Sequence, residues 1–284
     1  VVKKDGWEVL DESGPLPFDL NIFGYFKNGQ EIRFQYAWIA IHGAPGEDGR
    51  LQGYLDMMGI RYSGSGVLSS AITFNKHVCK TILRQHGVLT AESRLIVKGN
   101  SYILDEIIDS VGLPCFVKPN NSGSSFGVSR VNHLDKLESA IHAAFREDNE
   151  VLVESYVKGT EVSCGLFQGE NEMIILPVTE IVSTNEFFDY EAKYTEGKSQ
   201  EITPARIDDE LTRRCQQTAA RIYDITKSTG IVRIDFIIRG NQLYFLELNS
   251  IPGMSKESIV PKQIQAAGYR VEDILRKVVE RSLQ

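Results

Sequence analysis

The stretch from Val232 to Gly253 constrains the fold of this chain more than any other part of it. Ile231 to Arg239 and Leu243 to Leu248 are rich in β-branched and aromatic residues, which favour strands. Gly240-Asn241 between them supplies a tight turn. The sequence therefore predicts a β-hairpin here.

Four polar residues of this hairpin are expected to meet. Arg233 and Asp235 share one face of the first strand, and Glu247 and Asn249 share one face of the second. Carboxylate and amide oxygens suit a hard cation such as Mg²⁺, which takes one or two carboxylates plus substrate phosphates. Strands this apolar are expected to be buried, where carboxylates need a cation or hydrogen-bond donors. The hairpin thus favours a metal site for a phosphorylated ligand over a set of solvent-facing side chains.

Composition excludes several classes of protein. The chain has 284 residues and 42% hydrophobic residues, enough for two or three domains with substantial cores. Its net charge of -7 argues against nucleic acid as the main partner. Four cysteines without C-x-x-C spacing suggest neither zinc nor disulfides and fit a reducing cytoplasm. Since no signal peptide and no run of about 18 apolar residues is visible, we expect neither export nor a membrane partner.

A predicted strand leads into a glycine-rich loop near the N-terminus. Tyr36 to Ile41 is a continuous apolar run, typical of a parallel strand that is buried on both faces. It runs into His42 to Gly49, where three glycines allow close backbone approach to a ligand. Ligands of α/β proteins bind at such carboxyl ends. The alternative is a turn with a satisfied histidine.

A second loop has the composition of a phosphate site. The predicted strand Leu113 to Lys118 ends in a lysine and leads into Pro119 to Gly127, which is rich in serine and glycine. Backbone N–H groups and hydroxyls can wrap an anion while Lys118 supplies charge. A predicted helix from Leu68 to His86 carries Lys76. No G-x-x-x-x-G-K-[ST] motif occurs, which excludes a P-loop.

The remaining periodicities predict further regular elements and one long irregular segment between Ile181 and Pro204. Such a connection is usually a functional lid or disordered, and its aromatic residues argue against plain disorder. The predicted helices are 133 to 148, Asp208 to Lys227, Lys256 to Ala267 and Val271 to Leu283, and the predicted strands are Glu150 to Tyr156, Gly159 to Phe167 and Met173 to Val178.

In their order along the chain, these motifs resemble the ATP-grasp fold, and more closely the D-alanine:D-alanine ligase family. The resemblance covers about residue 36 to the C-terminus. Its most specific pieces are His42-Gly-Ala-Pro-Gly-Glu-Asp-Gly49, Lys118-Pro-Asn-Asn-Ser-Gly-Ser-Ser-Phe-Gly127, Phe188-Asp-Tyr-Glu-Ala-Lys-Tyr194, Arg233-Ile-Asp235 and Glu247-Leu-Asn-Ser-Ile-Pro-Gly-Met254.

The resemblance implies a nucleotide site and a metal site. Lys76 and Lys118 would bind the phosphates of ATP, the strand around Glu154 would face the adenine, and Glu161 would hold the ribose hydroxyls. Two Mg²⁺ ions, for which Mn²⁺ can substitute, would bridge the phosphates. Their ligands would be Asp235, Glu247 and Asn249.

The resemblance also implies catalytic and substrate residues. Arg233 and the backbone N–H of Gly253 would stabilise the acyl phosphate and the later oxyanion, with His42 near the first D-alanine and Ser258 at the carboxylate of the second. In the lid, Lys193 would reach the γ-phosphate. Tyr194 would bond towards Ser124 to exclude water, and Glu-Ala-Lys-Tyr here goes with a D-alanine acceptor.

The implied fold class combines α/β and α+β parts in three units. Residues 1–66 would form an N-terminal α/β substrate domain, 67–158 a central ATP-grasp subdomain, and 159–284 a C-terminal ATP-grasp subdomain with lid and metal site. Family members begin with a strand and a loop carrying a glutamate for the first substrate, a segment that this sequence does not include. Either the sequence starts inside a longer chain, or the segment is missing, in which case we expect an incomplete site for the first substrate. Two alternatives stay open: a nucleotide-binding protein without ligase activity, or a ligase with D-lactate or D-serine as acceptor. A homodimer and a role in peptidoglycan synthesis are implied by resemblance alone.

Overall fold

A computed structural model describes residues 1–3, 6–12, 14–123, 127–170, 172–183 and 199–284. Its N-terminal part contains a three-stranded antiparallel sheet, a hairpin and one parallel strand pair joined by a helix. In chain order these elements are β1 (Val2–Lys3), β2 (Gly6–Asp11), β3 (Gly14–Pro17), β4 (Gly24–Lys27), β5 (Gln30–Arg33), β6 (Tyr36–Ala37), α1 (Arg50–Met58) and β7 (Arg61–Tyr62).

The apolar run at Tyr36 forms a much shorter strand than predicted. Only Tyr36 and Ala37 pair with β7, in the predicted parallel direction. The expectation of burial on both faces is wrong, because Trp38 is 39% exposed. This sheet has just two strands, and its apolar packing comes from one cluster that includes Leu51 and Leu55 of α1.

The helix predicted from Leu68 to His86 is two helices, α2 (Val67–Phe74) and α3 (Lys76–Gln85). Asn75 between them has an extended backbone, and its side-chain oxygen accepts a hydrogen bond of 2.9 Å from the backbone N–H of Val78. Asparagine satisfies free N–H groups at a helix start in this way. The break places Lys76 in the first turn of α3.

The central part of the chain is an antiparallel sheet covered by helices on one face. Its strands are β8 (Ser93–Val97), β9 (Cys115–Pro119), β10 (Ser129–Val131) and β11 (Glu150–Ser155), in the order β10-β9-β11-β8. Helices α4 (Leu104–Val111) and α5 (Leu137–Ala144) pack on it. The helix predicted from 133 to 148 begins instead with a 3-10 turn at Leu134–Lys136, which leaves Leu134 exposed.

The C-terminal part is a larger antiparallel sheet in the order β15-β14-β12-β16-β17, with β13 also paired to β12. The predicted hairpin is present, because β16 and β17 flank the turn Gly240-Asn241. The elements of this C-terminal part are β12 (Thr160–Gln168), β13 (Met173–Ile175), β14 (Thr179–Ser183), β15 (Ser199–Ile202), α6 (Asp209–Ile225), β16 (Ile231–Arg239), β17 (Gln242–Asn249), α7 (Ile259–Ala266) and α8 (Val271–Leu283).

Two ends of the segment predicted to be irregular are strands. Thr179–Ser183 and Ser199–Ile202 pair with each other, so the prediction is wrong there, and 184–198 lie outside the described residues. Helix α7 starts three residues later than predicted, because Ser258 has an extended backbone. Among the described residues, none of the helices combines the length and hydrophobicity that crossing a membrane requires.

Strand alternation divides the larger sheet into a core face and a polar face. Val232, Ile234 and Phe236 of β16 face the core that α6 covers, with Cys215 and Ile222 of that helix. Odd-numbered residues of β16 point the other way. The sheet thereby presents Arg233 and Asp235 to its second face.

A β-bulge brings the polar residues of β17 to that same second face. Asp235 pairs with Glu247 whereas Phe236 pairs with Phe245, which leaves Leu246 as an extra residue. A bulge shifts the phase of alternation by one residue. Phe245 and Leu248 both reach the core as a result, and Glu247 and Asn249 face the same side as Arg233 and Asp235.

Candidate active site

A cleft of about 910 Å³ lies between the two larger sheets. This volume falls within the usual range of sites for small molecules and cofactors. Its walls come from both sheets, from α3, and from the loops that follow β6, β9 and β17. The predicted site residues that line it are His42, Lys76, Lys118, Glu154, Glu161, Arg233, Glu247, Asn249, Gly253 and Ser258.

Two buried lysines flank one carboxylate on the central-sheet side of the cleft. Lys118 of β9 and Lys80 of α3 each form an ion pair with Glu154 of β11, and all three side chains are nearly buried. Burial alone would raise the pKa of Glu154, but the charges of Lys118 and Lys80 outweigh it and lower that pKa to about 2. Burial lowers the pKa of Lys80 to about 8. Glu154 therefore remains an anion that fixes both ammonium groups.

Lys76 points into the same region from the start of α3. Its ammonium donates a hydrogen bond to the backbone carbonyl of Ser122, in the loop after β9. Asn120 ties this loop to the helix, because its side-chain oxygen accepts a bond of 2.8 Å from the backbone N–H of His77. Burial, together with repulsion from Lys118, lowers the pKa of Lys76 to about 8 despite the carboxylate of Glu247. An anion between Lys76 and Lys118 would offset that repulsion.

On the opposite wall, Asp235 is the centre of a dense hydrogen-bond cluster. Its Oδ1 accepts from the Ser163 hydroxyl at 2.6 Å and from Arg233 Nε at 3.0 Å. Its Oδ2 accepts from Arg233 Nη2 at 2.8 Å and from Asn249 Nδ2 at 3.0 Å. A carboxylate offers about four lone-pair positions. All four are used in this arrangement.

The charge of Arg233 is held by several carboxylates. Although burial disfavours the guanidinium, Asp235, Glu247 and Glu161 raise the pKa of Arg233 above its ordinary value. A guanidinium held in this way keeps its charge at every physiological pH. The cleft therefore has a permanent cation between its acidic residues.

The polar face of the hairpin has the donor chemistry of a magnesium site. Glu247 lies directly across from Asp235, and Asn249 directly across from Arg233. No group of three or more His, Cys, Asp or Glu converges within the described ranges, so the donor set is two carboxylates and one amide. Such a set fits a hard cation that keeps waters and phosphate oxygens as its other ligands. Glu247 and Asn249 line the cleft, whereas Asp235 would first release one hydrogen bond.

The loop after β6 carries His42 to the rim of the cleft and Glu47 to its interior. His42 is exposed, and Glu47 is 9% exposed. The Glu47 carboxylate accepts from the backbone N–H groups of Gly43 at 2.7 Å and Ile251 at 3.4 Å. Burial raises the pKa of Glu47. This carboxylate thereby joins the His42 loop to the loop after β17.

That second loop brings Gly253 against Ser258. A Cβ on Gly253 would lie 2.7 Å from Ser258 Oγ, so any larger residue would force that hydroxyl to shift. The Ser258 hydroxyl lies 2.8 Å from that of Ser255. A backbone amide and two hydroxyls are thus close together in the wall of the cleft that Arg233 also lines, where they can bind a carboxylate or an oxyanion.

The far end of the cleft is lined by aromatic and aliphatic side chains beside Glu161. Phe116 and Tyr156 pack with ring centroids 5.9 Å apart, and Val157 and Ile237 contribute to the same wall. An apolar slot next to a carboxylate suits a flat base attached to a sugar with hydroxyl groups. This end lies beside the paired lysines.

Three predicted site residues, Ser124, Lys193 and Tyr194, lie outside the described residues. Asp235 does not line the cleft itself, but it accepts hydrogen bonds from Arg233 and Asn249, which do. Sequence reasoning missed Lys80 and Glu47. Lys80 follows Lys76 by four residues, the spacing that puts two side chains on one helix face. Glu47 lies within the motif His42 to Gly49, whose position next to the predicted strand is the signal that could have indicated it.

The sequence matches one family model over most of its length. A family described as D-ala D-ala ligase C-terminus matches residues 83–280. The D-alanine–D-alanine ligase of Flavobacterium johnsoniae is 48% identical over 281 residues, which span 99% of this chain and 87% of that relative.

Solved structures show the same similarity. The VanG D-Ala:D-Ser ligase of Enterococcus faecalis is 32% identical, with a TM-score of 0.85 over 96% of this chain and 81% of the other. The D-alanine–D-alanine ligase of Bacillus anthracis complexed with ATP is 34% identical, with a TM-score of 0.77 over 88% of this chain and 79% of the other. The predicted ATP-grasp architecture, with α/β and α+β parts, is confirmed.

Proposed function

This chain belongs to the D-alanine–D-alanine ligase family, and on that premise we propose that it joins two D-alanines through an acyl phosphate, converting ATP to ADP and phosphate. One observation carries the proposal at the level of the site. The same cleft is lined by the lysines Lys76 and Lys118, by the oxygen donors Glu247 and Asn249, and by Gly253 and Ser258. Phosphoryl transfer followed by amine attack needs groups of these three kinds in one site.

Lys76 and Lys118 would bind the phosphates of ATP. Both ammonium groups reach the cleft from rigid elements, and Glu154 holds Lys118 in place. The strand around Glu154 would present hydrogen-bonding groups to the adenine, and Glu161 would bind the ribose hydroxyls. The apolar slot by Phe116 and Tyr156 would receive the base.

Glu247 and Asn249, joined by Asp235, would hold two Mg²⁺ ions. When bound, these ions would neutralise the phosphates as the γ-phosphoryl group moves to the first D-alanine carboxylate. The protein's own part is to fix the oxygen ligands on two paired strands. Mn²⁺ has similar preferences and would substitute.

Arg233 would stabilise the charge that builds up during both chemical steps. The first D-alanine, near His42, would present its carboxylate oxygen to the γ-phosphorus. The amine of the second D-alanine, whose carboxylate Ser258 binds, would then attack the carbonyl carbon and expel phosphate. The backbone N–H of Gly253 and Arg233 would bind the intervening oxyanion.

A lid would exclude water from the acyl phosphate. By resemblance alone, Lys193 would reach the γ-phosphate and Tyr194 would bond towards Ser124. Water exclusion matters because hydrolysis would consume ATP without forming the peptide bond.

A D-serine acceptor is the second candidate, because one similar solved structure is a D-Ala:D-Ser ligase. D-alanine is favoured by relatives of higher identity, such as the 48% identical ligase. We also propose a cytoplasmic homodimer that serves peptidoglycan synthesis. Its four cysteines are free, which fits a reducing compartment.

Transfer of ¹⁸O from D-alanine to phosphate tests whether the reaction passes through an acyl phosphate. D-alanine carrying ¹⁸O in its carboxylate is incubated with the protein and Mg-ATP, and the phosphate released is analysed by mass spectrometry. Because the carboxylate oxygen becomes the bridging oxygen of the acyl phosphate, one ¹⁸O should appear in phosphate per dipeptide formed. Dipeptide without labelled phosphate would exclude the acyl phosphate, and a parallel reaction with D-serine as acceptor tests the alternative.

A further inference from the structure

A buried glutamine connects helix α7 to strand β12. Gln263 is fully buried, and its side-chain amide makes three hydrogen bonds. Its Oε1 accepts from the backbone N–H of Gly165 at 2.9 Å, and its Nε2 donates to the carbonyl of Ser163 at 2.8 Å and to the Thr179 hydroxyl at 3.0 Å. The amide thereby binds the backbone of β12 much as a neighbouring strand would.

The amide occupies a break in the sheet. On this edge β12 pairs with β14 at 161–163 and with β13 at 166–168, so the described strands leave 164 and 165 between the two pairings. Gly165 makes room for the amide, because a Cβ there would lie 2.6 Å from Gln263 Oε1. Glycine in a strand often marks a close approach of this kind.

On its other edge, the part of β12 from 163 to 165 pairs with β16, which carries Arg233 and Asp235. Ser163 pairs with Asp235 and Gly165 pairs with Arg233. Ser163 is held twice, because its carbonyl accepts from Gln263 while its hydroxyl donates to Asp235. One residue of β12 thus separates Gln263 from the Arg233–Asp235 ion pair.

Gln263 also belongs to the helix that begins next to Ser258. Helix α7 runs from Ile259 to Ala266, and Ser258 precedes its first residue. Gln263 follows Ser258 by five residues, at the point where the helix contacts the sheet. Movement of α7 relative to β12 would change the distance between Ser258 and Arg233.

We propose that Gln263 is a positioning residue for the ligation, which sets the Ser258 end of α7 at the right distance from the Arg233–Asp235 pair. This inference rests on the proposed function, because it assumes that Ser258 binds the acceptor. Loss of the amide should let α7 shift on the sheet. The acceptor amine then reaches the acyl phosphate in a poorer orientation, while the lysine-lined end of the cleft stays intact.

The test compares Gln263→Met, which keeps the side-chain length without polar atoms, with Gln265→Met on the exposed face of the same helix. We expect Gln263→Met to raise the KM for the acceptor D-alanine about tenfold and to lower kcat, because small displacements of reacting groups have large effects on rate. The Kd for ATP should not change. Gln265→Met should match the unaltered protein in all three constants.

Two outcomes would overturn the inference. One is an unaltered acceptor KM in Gln263→Met, and the other is an equal weakening of ATP and of both D-alanines, which would show a general structural role. Should Gln263→Met fail to fold, Gln263→Asn carries the same test, because its amide is one methylene too short to reach both Ser163 and Gly165. Absence of dipeptide from the unaltered protein would instead overturn the proposed function.

Discussion

Arg233 and Asp235 form a bidentate ion pair on one face of β16, with Arg233 Nη2 2.8 Å from Asp235 Oδ2 and Arg233 Nε 3.0 Å from Oδ1. The two residues are separated by one core residue, Ile234. The pair sets the direction of the guanidinium before any ligand arrives, and such preorganised charge is effective in stabilising transition states.

Arg233→Ala should lower kcat by about 100- to 1000-fold, the usual effect of removing a transition-state donor. The Kd for ATP should change much less, because Lys76 and Lys118 bind the phosphates. Steady-state kinetics and nucleotide binding check this, with Arg239→Ala at the exposed end of the same strand as control. Loss of ATP affinity without loss of kcat would show that Arg233 is misassigned.

Glu247→Gln should lower metal-dependent turnover by orders of magnitude and leave the fold intact. The amide removes a negative charge opposite Asp235 but keeps the shape of the side chain. Activity is measured across a Mg²⁺ titration, with Glu280→Gln on the exposed face of α8 as control. Unchanged activity at limiting Mg²⁺ would remove Glu247 from the metal site.

Gly253→Ala should raise the KM for the acceptor D-alanine. The new methyl group would lie 2.7 Å from Ser258 Oγ and force that hydroxyl away. Gly53→Ala is a matched control, because its Cβ would meet only Val67 Cγ2 at 3.8 Å. If Gly253→Ala and Gly53→Ala have the same acceptor KM, the contact between Gly253 and Ser258 has no role in acceptor binding.

Lys80→Met should reduce the free energy of unfolding by about 3 kcal/mol, the lower end for breaking a buried ion pair. The lower end applies because Glu154 keeps Lys118 as a partner. Urea denaturation measures the change, with Lys277→Met on the exposed face of α8 as control. A loss equal to that of the control would show that Lys80 does not stabilise Glu154.

ATP binding should weaken as the pH rises through about 8, the lowered pKa of Lys76 in the ligand-free protein. Below that pH the ammonium is charged and attracts phosphate, and above it the neutral amine does not. Lys76→Arg should abolish this dependence, because arginine stays charged throughout. Parallel pH profiles for the two proteins would assign the titration to another group.

The sequence was most informative where local patterns decide structure. The apolar runs and Gly240-Asn241 are sufficient to predict the hairpin from Ile231 to Asn249, because turn type and strand propensity are local properties. The bulge at Leu246 has no comparable local signal. Its effect, the placement of Glu247 opposite Asp235, depends on which residues of β17 enter the core.

Long-range contacts were the part that the sequence could not supply. The ion pair of Lys80 becomes apparent only in the fold, where β11 brings Glu154 next to α3. The hydrogen bonds of Gln263 likewise depend on the fold, which places α7 over the break in β12. The parallel strand at Tyr36 is present but shorter than predicted, for the same reason. Its length is set by the two residues of β7 that pair with it.

The most direct test of the proposed ligation measures phosphate release from Mg-ATP with and without D-alanine, together with chromatography for the dipeptide. If the protein ligates D-alanine as proposed, phosphate release depends on D-alanine and equals the D-alanyl-D-alanine formed. Release that is independent of D-alanine, or ATP binding without any dipeptide, would contradict it and favour a nucleotide-binding protein without ligase activity.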